Sequence, residues 1–258
     1  MINVIGVGLD PDLDLTIAAK NKLQESPKVL TLASASISKK LEEMLIINEN
    51  ILYLYSNGNA DQENYDRILN YIIETKKEYE EVSLAIPGHP MIGVTIVSML
   101  LKQKNKYNYK VNAFPGVSSF DWMMIDLARD PIARGSMLLD ANRFVLLNIQ
   151  IDPQLDIFLY HICSVGTRKA WYRDPSKDNN LEILKLKLLN FYQEDKVINL
   201  VSSGSNFTIN NDKSIIYSTQ LKNIEEMRKY INFSSTLYIQ AEKPKNIDFK
   251  YLNNLKHS

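Results

Sequence analysis

The chain has 258 residues, 45% apolar and 23% charged, and its 30 basic side chains balance 30 acidic ones to zero formal charge. That length holds one large domain or two modest ones sharing an interface. The charge balance argues against a broad nucleic-acid or membrane-surface face, and a single cysteine with three histidines excludes an intrachain disulfide and speaks against a structural zinc site.

The chain opens on Ile2-Asn3-Val4-Ile5-Gly6 without a basic leader. Its longest apolar stretch, residues 92–101, is about half of what spans a bilayer. A cytoplasmic protein is expected, with no nucleic-acid or membrane partner.

In chain order, Ile2 to Val7 reads as a buried strand closed by the turn Gly6-Val7-Gly8-Leu9-Asp10-Pro11. Leu15 to Gln24 has helical spacing, Lys28 to Ala35 reads as a strand, and Ser36 to Leu45 as a helix capped by Ser36 or Ser38. A third strand is expected over Ile51 to Tyr55. Tyr65, Ile68, Leu69, Ile72 and Ile73 then fall on one helical stripe. Val82 to Ile86 is a strand running into Pro87-Gly88-His89-Pro90, Ile92 to Lys102 a buried helix begun by Pro90, and Tyr109 to Phe114 a strand before Pro115-Gly116. Strands alternating with helices at this spacing indicate an α/β fold with a mostly parallel sheet.

After about residue 115 the pattern changes. Ser119 to Ala128 reads as a helix, followed by strand-like runs at Phe144–Asn148, Ile157–Cys163, Val197–Ser202, Ser214–Ser218 and Ser235–Gln240, with helices near Glu182–Tyr192 and Ile224–Tyr230. The expected organisation is an N-terminal, Rossmann-like α/β domain over 1–114 and a mixed α+β domain over 115–258. The loop Thr167 to Asn180 is expected to be its most mobile segment.

Three glycine-bearing loops at one end of one sheet describe a small-molecule cleft. Gly6-x-Gly8 lacks the third glycine of a dinucleotide fingerprint, and Asp10 and Asp12 would not welcome a pyrophosphate. His89 is placed either in the crevice or as a loop-packing residue. Ser118 and Ser119 cap the helix that follows and are free to bind a ligand as well. His161, within an apolar run, reads as a core histidine, and Cys163 as an inert buried thiol.

Together these segments resemble the tetrapyrrole methylase superfamily of S-adenosylmethionine-dependent enzymes. The resemblance is carried by Val4 to Asp10, Tyr53 to Tyr65, Pro87-Gly88-His89-Pro90, Phe114 to Ser119, Asp126 to Pro131, Met137 to Phe144 and Ser235 to Ile239. Phe114 to Asp121, Asp140-Ala141-Asn142-Arg143-Phe144 and Asp152 through Gly166 make it most similar to the borosin-type methyltransferases of peptide backbone amides. The resemblance implies a two-domain fold, S-adenosylmethionine in the interdomain cleft, a homodimer and a separate precursor peptide as substrate. Leu9, His89, Ile92, Ser118 and Ser119 would line the cofactor pocket, with Ile162 and Ser203 adding backbone contacts. Tyr55 and Tyr65 would be the acid/base pair.

The family's arginine one turn before the second tyrosine is here Asp61, which either caps the Tyr65 helix or modulates the tyrosines and acts as base. Its charge would oppose a phenolate. Two other functions stay open at this point: a binding subunit that kept the fold without catalysis, and a methylase of a tetrapyrrole or other small molecule.

Overall fold

The computed structural model describes residues 1–169, 171, 174, 176–202, 215–244 and 247–255. Its first half is a five-stranded sheet in the order β3-β2-β4-β1-β5, built from β1 (Ile2–Gly6), β2 (Val29–Thr31), β3 (Glu49–Asn50), β4 (Val82–Ile86) and β5 (Val111–Phe114). Every pairing in it is parallel. β1 and β4 are buried at every residue, as central strands covered on both faces must be.

The alternation of β1 divides the core. Ile2 and Val4 pack with Ile68, Ile72, Ile96 and Leu100 of α4 (Asp61–Glu78) and α5 (Thr95–Gln103). Ile5 and Val7 pack instead with Ala19, Leu23 and Leu41 of α2 (Ile17–Glu25) and α3 (Ala35–Glu43), while a single turn, α1 (Pro11–Asp14), precedes α2.

The second half forms a mixed sheet, ordered β6-β7-β10-β8-β9, from β6 (Ser136–Asp140), β7 (Asp156–Tyr160), β8 (Val197–Val201), β9 (Ile215–Gln220) and β10 (Thr236–Ile239). Only β6 and β7 run parallel in it. Ile157 and Leu159 face α7 (Ala141–Leu146), α8 (Leu181–Leu188) and the 3-10 segment Leu221–Tyr230. Phe158 and Tyr160 face α6 (Ser119–Asp126). A short helix, α9 (Phe249–Asn254), closes the described chain.

Several local expectations change. Residues 52–54 form a 3-10 turn and the strand before it is only Glu49–Asn50. α3 is capped by Ser34, whose side chain accepts the Ile37 N–H. α5 starts at Thr95 and not near Pro90, because Gly93 at φ +68° interrupts any earlier helical path. The apolar run at Phe144 is helical: Asp140 caps α7 through the Arg143 N–H, and Asn148 at φ +51° ends it. The strand in that region is β6, whose Ser136–Asp140 lie just upstream.

Candidate functional site

Because β4, β1 and β5 are neighbours, the loops that leave them lie side by side at the carboxyl edge of the first sheet. Gly88 donates its N–H to the Gly8 carbonyl at 2.8 Å, and the two residues form an antiparallel bridge. A Cβ on Gly6 would stand 2.4 Å from the Gly88 oxygen, and one on Gly116 would stand 2.5 Å from that same atom. Gly6 and Gly116 therefore serve backbone-to-backbone packing, where a close approach to a ligand had been expected. Gly88 differs: its φ is +68°, and a Cβ there would meet nothing nearer than the Ser118 Cα at 3.9 Å.

The other residues nominated for the cofactor are largely committed to the protein itself. Buried Asp14 accepts the N–H groups of Leu9 and Asp10 at 2.9 and 3.0 Å and the Trp122 indole N–H at 3.1 Å. Ser118 donates both N–H and hydroxyl to Asp121 Oδ2 at 2.7 Å and accepts the Asp121 N–H, a complete capping box at the start of α6. His89 Nδ1 accepts the Met91 N–H at 3.1 Å. Ile92 is partly exposed beside them, and the Ile162 carbonyl accepts from Asn179 Nδ2 at 3.3 Å. Ser119 opens α6 next to Tyr160, whose buried hydroxyl makes no hydrogen bond of normal geometry and is pushed up to about 12 by burial. Ser203 lies outside the described residues.

Tyr55, Asp61 and Tyr65 do come together. The residue preceding α4 is Ala60, so Asp61 is the first residue of the helix and not its cap. Its Oδ1 accepts the Tyr55 hydroxyl at 3.2 Å, and the Tyr55 and Tyr65 rings meet edge-on with centroids 6.0 Å apart. Buried Asn64 braces the loop by bonding both the N–H and the carbonyl of Ser56. Arg67 is turned away to Ser56 and Asn64.

Burial lifts Asp61 above the usual carboxylate range, although Tyr55 and His161 oppose the shift. Burial, then Tyr65 and Asp61, push Tyr55 well up. Tyr65 is also raised by burial and by Asp61, against hydrogen bonding from Thr95. Both tyrosines are thus phenols at neutral pH.

The second sheet adds a group that sequence reasoning had assigned to the core. His161 follows β7 in the left-handed region, at φ +58°, and its imidazole lines the cavity that faces Tyr55. Nδ1 lies 2.8 Å from Asp140 Oδ2, while Oδ1 of the same carboxylate takes the Arg143 N–H. Burial alone would raise Asp140, but His161 and the N–H groups of α7 hold it below its ordinary value. Cys163 sits in the same wall, pushed up to about 11 by burial, and stays a thiol.

These groups line a cavity of about 420 Å³. It shares Tyr55, Tyr65, Thr95 and Phe233 with a smaller apolar cavity of about 230 Å³ under Pro87 and Val94. It shares Asp61, Gln62 and Asn142 with a third, of about 640 Å³, beside Leu146 and Ile183. The segment after the His161 turn closes one side. Arg168 accepts the Asp61 N–H at 2.9 Å, Lys169 pairs with Ala60, and the Trp171 ring covers Gly58, where a Cβ would meet it at 3.1 Å. Within loop 167–180, expected to be mobile, Arg168, Lys169 and Trp171 meet the first half, while Asn179 and Asn180 bond Ile162 and Val165 of the second. Among the described residues no cluster of His, Cys, Asp and Glu could hold a metal, and no helix is long and apolar enough to cross a membrane.

Known proteins carry the same plan. Along all of its length the chain is 22% identical to ceuMA2 of Cerrena unicolor, described as a methyltransferase and ribosomally synthesized type I borosin cyclic peptide precursor, and it covers 62% of that protein. It is 24% identical to the uncharacterized protein YabN of Bacillus subtilis, over 91% of this chain and 47% of the other. The uroporphyrin-III C-methyltransferase of Thermus thermophilus, solved in complex with S-adenyl homocysteine, superposes with a TM-score of 0.59 at 17% identity, covering 92% of this chain and 91% of the other. The sequence profile of the tetrapyrrole (corrin/porphyrin) methylases matches residues 1–136, more than half of the chain. With the parallel first sheet, the mixed second sheet and the loops between them, this places the chain in the tetrapyrrole methylase family of S-adenosylmethionine-dependent methyltransferases.

Proposed function

We propose that this protein transfers a methyl group from S-adenosylmethionine to an extended peptide lying across the cleft. The observation that carries the peptide is the row of three adjoining cavities past Tyr55 and Asp61. A row of that kind suits a linear chain better than a broad flat macrocycle. The likeness to ceuMA2, a methyltransferase joined to a peptide precursor, supports the same substrate.

The sheet edge fits a polar nucleoside cofactor. The Tyr160 hydroxyl is buried beside Ser119 with no hydrogen bond of normal geometry, and Gly88 leaves open the space a Cβ would fill. Gly88, His89, Ile92, Ser119 and Tyr160 would hold the cofactor, which supplies a methyl carbon on a good leaving group. The protein's part is then to align the nucleophile, exclude water and hold its proton.

Incubation with methyl-labelled S-adenosylmethionine and linear peptides is expected to put label on a peptide. Cofactor binding by calorimetry without any transfer would overturn this in favour of a non-catalytic binding subunit. An absorbance response to porphyrinoid substrates would favour a tetrapyrrole methylase. The homodimer belongs to this reading and is checked by sedimentation.

A further inference from the structure

Resting on the methyltransferase reading, we propose that His161, positioned by Asp140, is the catalytic base, and that the nitrogen it serves is a peptide amine and not a backbone amide. Neither residue had been placed in the chemistry from the sequence.

The geometry fixes the imidazole. Asp140 is held at both oxygens, one by the α7 N–H of Arg143 and one by His161 Nδ1. A carboxylate accepting at Nδ1 requires a proton there, so in the neutral ring Nε2 is the bare acceptor. Nε2 makes no hydrogen bond to any described residue, and the ring edge passes close by Gly93, where an added Cβ would come within 3.2 Å of Nε2. The positive φ of His161 strains a non-glycine backbone to aim a base into a cavity.

The surroundings choose the substrate atom. Among the described residues, around the imidazole stand Asp140 of β6, Asp61 and Tyr65 of α4, Tyr55, Cys163, Tyr160 and Lys169. The two carboxylates would oppose an amide stripped of its proton, and neutral phenols are too weak as bases to make one. The same carboxylates draw in an ammonium.

The balance is simple. The ammonium gives one proton to His161 Nε2, and the freed lone pair forms the new bond to the methyl carbon as the carbon–sulfur pair stays on sulfur. The product is an N-methylammonium, and the imidazolium is paired with Asp140.

Two measurements are read on the wild type. In ¹⁵N spectra of the ligand-free protein, with H161N as the assignment control among the three histidines, His161 should show the Nδ1–H tautomer; an Nε2–H tautomer overturns the proposal. Methyl label should sit on the peptide's amino terminus or lysine and vanish when these are acetylated, whereas label on a backbone amide overturns it. H161N should lose turnover about 100-fold or more while binding S-adenosylhomocysteine as wild type does. Wild-type turnover in H161N, or loss of that binding, would also overturn it. D140N should slow turnover and shift the His161 tautomer together, marking Asp140 as a positioning residue. Failure of the underlying reading looks different: the wild type itself binds no S-adenosylhomocysteine.

Discussion

At the carboxyl edge of the first sheet Gly6 and Gly116 leave no room for a single methyl group, and Asp14 receives N–H groups from two backbones and an indole. A short way off, the cavity at Tyr55 is built the other way: a desolvated Asp61, a left-handed His161 and an imidazole nitrogen that bonds no described residue. Around Gly6, Gly116 and Asp14 the first region spends its polar groups on itself and acts as scaffold. The second leaves them unspent, as a site that must meet a substrate does.

That contrast can be broken by substitution. G116A should have the largest effect, because its Cβ would lie 2.5 Å from a backbone oxygen that cannot step aside. A loss of about 3 kcal/mol or more is expected, a fall in melting temperature of roughly 6–12 °C. Thermal denaturation within a degree of wild type would refute the packing role.

W122F removes the indole donor from buried Asp14 and unfastens α6 from α1, at a cost of about 1–3 kcal/mol in denaturant titrations. D61N should act in the opposite direction and least. Asp61 is raised in the fold by burial, so its ionisation costs stability above the folded value, and that cost fades as pH falls through the folded value and is gone below the ordinary 3.8. The variant should melt slightly higher than wild type at neutral pH, by about 1–2 °C, with the gain disappearing in acid. A variant that melts lower at neutral pH would show Asp61 to be structural.

The scaffold was legible because its signals are local. Glycines after buried strands, Pro-Gly pairs and the Ser118 cap each announce a backbone constraint within a few residues, and β1, β4, β5 and α6 follow from them. The α4 stripe placed Tyr55, Asp61 and Tyr65 near one another for the same reason. The rest of the cavity was hidden. His161 looks like core because Phe158, Leu159 and Ile162 flank it, and only the left-handed turn after β7 swings its ring outward. Its partner Asp140 is 21 residues earlier, on a strand whose place had been given to the helical run at Phe144. Nor could spacing show that the Leu9 N–H turns inward, since Asp14 reaches it only through the folded loop.

The pairing of Ala60 with Lys169, and of the Asp61 N–H with Arg168, has a mechanical corollary. The first turn of α4 hangs from the opposite lobe, so anything that wedges the lobes apart also withdraws the aspartate from Tyr55. Entry of a bulky guest and assembly of the acid–phenol pair are thereby set against each other, and only a guest slender enough to slip beneath the strap finds both in place.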